Sequence, residues 1–237
     1  MAVLSYLANP YRFMAVSKWF ALPFTLLGVG LILIGAYFGL FVVPEDFQQG
    51  DSARIMFVHV PAMWLSLFAY AFMTGASIVS FIWRHTLADV AAKSAAPIGA
   101  AVTALGLMTG SIWGYPTWGT WWEWGDARLV SVLVLFFIYL GYMAIWQAMD
   151  TPQKAARAAA ILCLVGAVNL PIIQFSVEWF STLHQVKMKA ADEFKYPMYV
   201  VALGYFSLFG GLTLFNMRAE VMNTRAEMLM QRRQAAE

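Results

Sequence analysis

Long apolar stretches separated by short polar connections occupy almost the whole chain. Six of them reach the roughly 20 mostly apolar residues that a membrane-spanning helix needs, allowing for tilt and kinks. They run Trp19–Val43, Pro61–Trp83, Ser94–Ile112, Leu129–Met149, Ala158–Phe175 and Pro197–Met217. The pattern predicts an all-α, polytopic integral membrane protein with six transmembrane helices, in a single membrane domain over residues 1–237. Ahead of the first span, Tyr6 to Lys18 is suited to lying along the membrane interface. Behind the last, residues 218–237 read as a polar cytoplasmic helix or a frayed tail. Pro171 in NLPII predicts a kink in the fifth helix, with Asn169 helping to satisfy the freed backbone groups. The first apolar run is long enough to span and is read as an uncleaved helix.

Composition supports this reading. Hydrophobic residues make up 61% of the 237 and charged residues 12%, against about 25% charged in a soluble domain. The single cysteine, Cys163, lies inside an apolar run, which excludes a disulfide framework, a CxxC redox pair and a CxxCH site for covalent haem. No nucleophile or acid–base constellation stands out, so no enzyme activity is expected. No nucleic-acid partner is expected either, and membrane lipid is the surrounding medium.

Basic residues set the expected orientation, because cytoplasmic connections carry the excess of Lys and Arg. With six spans both termini share a side. That side holds Arg12, Lys18, Arg84, Lys93, Lys154, Arg157, Arg218, Arg225, Arg232 and Arg233, against Arg54, Arg128, Lys187, Lys189 and Lys195 on the other. Both termini are therefore expected to be cytoplasmic, and the connection between the third and fourth helices, residues 113–128, to face outward.

That connection is the densest chemical signal in the chain. Trp113, Trp118, Trp121, Trp122 and Trp124, five of the ten tryptophans, fall within twelve residues. An interfacial aromatic belt accounts for indoles scattered at span ends but poorly for five in one loop, whose density suits a platform for a flat apolar ligand. The topology also sorts the three histidines. His85 falls on the inner side, whereas His59 and His184 share the tryptophans' side, where topology allows them to converge over one loop. Two imidazoles, an aromatic platform and outward arginines match haem, whose iron takes imidazole ligands and whose propionates want cations. Arg54 and Arg128 are the candidate propionate partners, the second beside the N-terminus of the fourth helix, which attracts anions.

Blander readings stand beside these. A single outer histidine is an ordinary interfacial residue, and Arg54 and Arg128 also make exposed ion pairs with Asp51 and Asp126, contacts that contribute little. A membrane b-type cytochrome exchanging electrons with quinone is one alternative function, although such proteins commonly need histidine pairs inside helices and no span here carries two. A small-molecule transporter is another, although the span centres lack charged residues.

The segment WGTWWEWGDARL is similar to the tryptophan-rich "WWD" signature of haem-handling membrane proteins. HVPA, MTGSIWG, NLPII and SVEWFSTLHQ resemble the companion blocks of one branch, the haem exporter protein C (CcmC) family of bacterial cytochrome c maturation. The likeness runs roughly from His59 to His184. It implies a periplasm-facing haem site with His59 and His184 as axial iron ligands, and Trp113, Trp118, Trp121, Trp122, Trp124 and Asp126 forming the loop under the ring. It also implies haem b bound non-covalently as cargo, on a multi-pass protein of the bacterial inner membrane. The implied partners are a periplasmic haem chaperone, ATP-binding cassette transporter subunits and a small single-span subunit. The chain departs from the usual WWxWDARLTS pattern at the inserted Gly125 and at Val130 in place of threonine; the glycine is expected to loosen the turn and shift Asp126 and Arg128 relative to the indoles.

Overall fold

A computed structural model describes residues 9–180, 182–184 and 191–235. Among these residues seven α-helices follow one another: α1 Pro10–Tyr37, α2 Met56–Trp83, α3 Thr86–Trp118, α4 Ala127–Ala148, α5 Pro152–Gly166, α6 Asn169–Trp179 and α7 Asp192–Gln234. No strand occurs among the described residues. Six helical stretches are long and apolar enough to cross a membrane, α5 and α6 together making the fifth. The chain is thus a multi-pass membrane protein.

Local chemistry sets the helix ends. Asn9 caps α1 by accepting from the Tyr11 N–H at 2.9 Å, with Pro10 in the first turn, where its missing N–H is harmless. Thr151 followed by Pro152 opens α5 in the same way. Gly119, at φ 76°, ends α3 in the left-handed conformation that glycine adopts without a Cβ penalty.

The helices extend past the spans read from hydropathy. α1 is already helical at Pro10, so the part of the expected interfacial segment from Pro10 to Lys18 continues directly into the span; Tyr6 to Ala8 lie outside the described residues. Of the two readings of the tail, the helix is found, unbroken with the sixth span as far as Gln234. In the fifth span the break falls at Ala167–Val168, ahead of Pro171, which occupies the first turn of α6 without cost. Asn169 does not serve its own helix: its Nδ2 donates to the Ser131 carbonyl of α4 at 2.8 Å, bracing the break against a neighbour.

Packing uses small residues where backbones approach. α1 and α7 lie in contact along Ala21, Thr25 and Gly28 against Gly204 and Gly211; a Cβ on Gly204 would stand 2.9 Å from the Gly28 carbonyl oxygen. Such close approach is the usual basis of helix association in lipid, where apolar burial gives no drive. The central core holds Leu65, Tyr70, Met73, Leu135, Tyr139, Cys163 and Ile173. Its polar atoms are paired, Tyr70 Oη with the Cys163 carbonyl at 3.0 Å and Tyr139 Oη with the Ser66 carbonyl at 2.8 Å, as buried hydroxyls require.

The two ends of the bundle differ. Around the start of α1 and the end of α7, Arg218 Nη1 donates to the Met14 carbonyl at 2.7 Å, Lys93 pairs with Glu220, and Arg225 sits 4.2 Å over the Tyr11 ring. The opposite end carries Arg54, Arg128 and Lys195, together with the start of α2, the end of α3 and the start of α4. Lys187 and Lys189 lie outside the described residues.

Candidate functional site

The end of the bundle away from the termini opens into a cavity of about 430 Å³, within the roughly 300–1,000 Å³ typical of small-molecule and cofactor sites. Its walls come from the α1–α2 connection, α2, α3, α4, α6, the segment after α6 and the start of α7. His59, His184, Trp113, Trp118 and Arg128 all line it.

His59 stands in the first turn of α2, which follows a short 3-10 turn at Asp51–Ile55 and runs on through Pro61. Its Nδ1 lies 3.0 Å from the Gly106 carbonyl oxygen and 3.2 Å from Thr109 Oγ1, both on α3. A carbonyl only accepts, so Nδ1 holds the proton and Nε2 keeps the lone pair that a metal takes. The close seat depends on Gly110, where a Cβ would stand 2.9 Å from His59 Cε1. The edge of Trp113 completes the surroundings, its ring centroid 5.7 Å from that of His59. Trp113 is itself fixed, its Nε1 donating to Gln49 Oε1 at 2.8 Å.

His184 arrives from the segment after α6. Its ring lies edge-on to Trp118 at 4.8 Å between centroids. Its Nδ1 is buried without a hydrogen-bond partner among the described residues and stands 3.8 Å from Asp126 Oδ2. Asp126 is 2% exposed. One of its oxygens caps α4, accepting from the Arg128 and Leu129 N–H groups at 2.9 and 3.0 Å; the other accepts from the Leu183 N–H at 2.7 Å. Burial acts to raise the Asp126 pKa, but the adjacent His184 and the Leu129 and Leu183 N–H groups outweigh it and hold it at about 2. The carboxylate therefore ties the tryptophan connection to the segment that carries His184.

Arg128 lines the cavity from the first turn of α4, and its Nη2 reaches the Ile173 and Gln174 carbonyls at 3.4 Å. Arg54 is placed differently. Its Nη1 donates to the Gly39 and Val43 carbonyls, both at 2.9 Å, and its Nε to Asp51 at 2.7 Å, outside the cavity lining.

The tryptophans also divide. Trp113 and Trp118 belong to the last turns of α3 rather than to a loop, because α3 persists to Gly119. Trp121 and Trp124 are 55% and 73% exposed, and neither they nor Trp122 lines the cavity. Trp121 stacks on Tyr115 at 4.6 Å, and Trp122 meets Trp124 edge-on at 5.5 Å. Gly125 does not use its conformational freedom, since its φ is not positive. Its N–H donates to Glu123 Oε1 at 3.0 Å in a tight turn, and Asp126 still caps α4.

Gln49, Gly106, Gly110 and Phe194 complete the site and were not singled out from sequence. For the glycines a signal was present, because residues four apart in an apolar helix mark a close helix–helix seam. Gln49 and Phe194 carry no comparable mark.

A family model described as "Heme exporter protein C" matches residues 3–232. The chain belongs to the haem exporter protein C family. Curated relatives carry the same name. One from Bradyrhizobium diazoefficiens is 50% identical over 94% of this chain and 87% of its own. One from Escherichia coli K12 is 43% identical over 91% and 89%, and one from Paracoccus denitrificans is 40% identical over the whole of both chains. The matched region, residues 3–232, contains the cavity and both histidine-bearing segments.

Proposed function

We propose that this protein binds haem in the cavity and delivers it, as non-covalently held haem b, to a periplasmic haem chaperone during the maturation of c-type cytochromes. The observation that carries the reading is the presence of His59 and His184 on the walls of one cavity, flanked by Trp113 and Trp118. Imidazole nitrogens serve as axial iron ligands, the indoles give the porphyrin edge-on and face-on apolar contact, and Arg128 at the α4 N-terminus offers a cation to a propionate. Arg54 is tied to the segment just after α1, at Gly39 and Val43, and in this reading steadies the cavity wall.

In this reading the protein resides in the bacterial inner membrane, with the cavity end on the periplasmic side and both termini in the cytoplasm. The basic residues gathered at the terminal end support that orientation. The exposed Trp121 and Trp124 then stand where a partner or the membrane interface meets the site. In this reading its companions are ATP-binding cassette subunits and a small single-span subunit. The role is delivery rather than catalysis.

Haem titration of the detergent-purified protein tests the proposal. Stoichiometric binding with a low-spin Soret spectrum is expected, altered in His59→Ala and His184→Ala. A colourless protein, or unchanged spectra in both variants, defeats the axial assignment. Coexpression with the chaperone, scored for haem on the chaperone, tests delivery separately.

A further inference from the structure

Asp126 is nearly sealed from solvent, yet it does not line the cavity, so a direct contact with bound ligand is not its task. Three backbone N–H groups, those of Arg128, Leu129 and Leu183, fix its carboxylate. Beside it, His184 Nδ1 is buried and lacks a hydrogen-bond partner among the described residues, with Asp126 Oδ2 at 3.8 Å. An unmade hydrogen bond at a buried donor costs about 1–3 kcal/mol. A movement of roughly 1 Å brings the pair to the 2.7–3.2 Å of a hydrogen bond, and polar contacts around a site are often long before the ligand arrives.

We infer that Asp126 is a positioning residue for His184, accepting a hydrogen bond from Nδ1–H so that Nε2 turns to the cavity and His184 becomes the more firmly held of two unequal iron ligands. The inference rests on the haem reading above. His59 shows the contrast: its Nδ1 is satisfied by the neutral Gly106 carbonyl and the Thr109 hydroxyl. A carboxylate behind an imidazole fixes the tautomer and raises ligand basicity more than a carbonyl does. The two sides of the ring are therefore held unequally, and the weaker hold lies on His59, the side from which a recipient's ligand displaces the iron bond. Asp126 also joins this device to α4, because the same carboxylate caps the helix that carries Arg128.

The test uses the full-length protein loaded with haem, with Asp126→Asn and Asp126→Ser as variants. Both replacements retain an oxygen that caps α4, and thermal unfolding of the haem-free variants checks the fold. Haem affinity is expected to fall about 10- to 100-fold, and the reduction potential to move positive because the basic ligand that favours ferric iron is weakened. In a His184→Gly background without added imidazole, the same substitutions are expected to change neither quantity. Unaltered affinity and potential in the single variants overturn the inference, as does an equal effect in the His184→Gly background. Failure of the unaltered protein to take up haem is a different result, which removes the haem reading before any variant is made.

Discussion

His59 Nδ1 lies 3.0 Å from the Gly106 carbonyl oxygen across the α2–α3 seam. The contact sets which nitrogen faces the cavity, and it exists only because Gly106 and Gly110 let the two helices close. Replacing Gly110 by Ala places a Cβ 2.9 Å from His59 Cε1. Overpacking of this kind typically costs about 1–3 kcal/mol, and here the ring must also leave its seat. Gly110→Ala is expected to lower both the thermal midpoint and haem affinity, read by unfolding and Soret titration. Gly75→Ala, which meets nothing within 4 Å, is expected to do neither.

The tryptophans are expected to separate by position. Trp118 lines the cavity and packs on His184, so Trp118→Ala removes ligand contact and ring support together, and haem affinity is expected to drop by at least tenfold, about 1.4 kcal/mol. Trp124 is exposed and outside the lining. Trp124→Ala is expected to leave the titration unchanged; if it matters, the effect appears in transfer to the chaperone.

The hydroxyl of Tyr139 donates to the Ser66 carbonyl within the core, away from the cavity. Tyr139→Phe removes one buried hydrogen bond without changing ring packing, a loss of about 0.5–1.5 kcal/mol. Thermal or denaturant unfolding is expected to register it, with the Soret spectrum unaffected.

For pH the sign follows from Asp126. Its carboxyl, held at about 2, lies below the ordinary value of about 3.9. Its contribution to stability is complete above the ordinary value and is lost as pH falls toward 2. Tryptophan fluorescence of the haem-free protein is expected to show the α3–α4 connection loosening only below about pH 4. Asp126→Ser is expected to lack that transition.

Much of this was legible in the residues themselves. Six apolar runs marked the spans, and their alternation put His59, the tryptophans and His184, on the first, third and fifth connections, at one end. The helix ends were less visible because hydropathy reports apolar content, whereas α3 continues through Trp118 by hydrogen bonding until Gly119 turns it. The roles of Arg54 and Asp126 were hidden for a related reason. Both were read as charges awaiting a ligand or a counter-ion, whereas much of their bonding is to backbone groups: the Gly39 and Val43 carbonyls for Arg54, the Leu183 N–H for Asp126. Such partners are distant in sequence and leave no pattern of residue types. Gln49, which locks Trp113 across 64 positions, belongs to the same class.

The last helix runs unbroken for 43 residues, roughly 64 Å at about 1.5 Å per residue, twice the thickness of a bilayer's hydrocarbon core of about 30 Å. Phe194, near one tip, forms part of the cavity wall, while Arg232 and Arg233 stand at the other. α1 runs beside it from Gly35, which meets Val201, to Tyr11, whose ring lies under Arg225. The chamber wall at Phe194 and the far half of the rod are therefore parts of one splinted strut rather than separately hinged pieces.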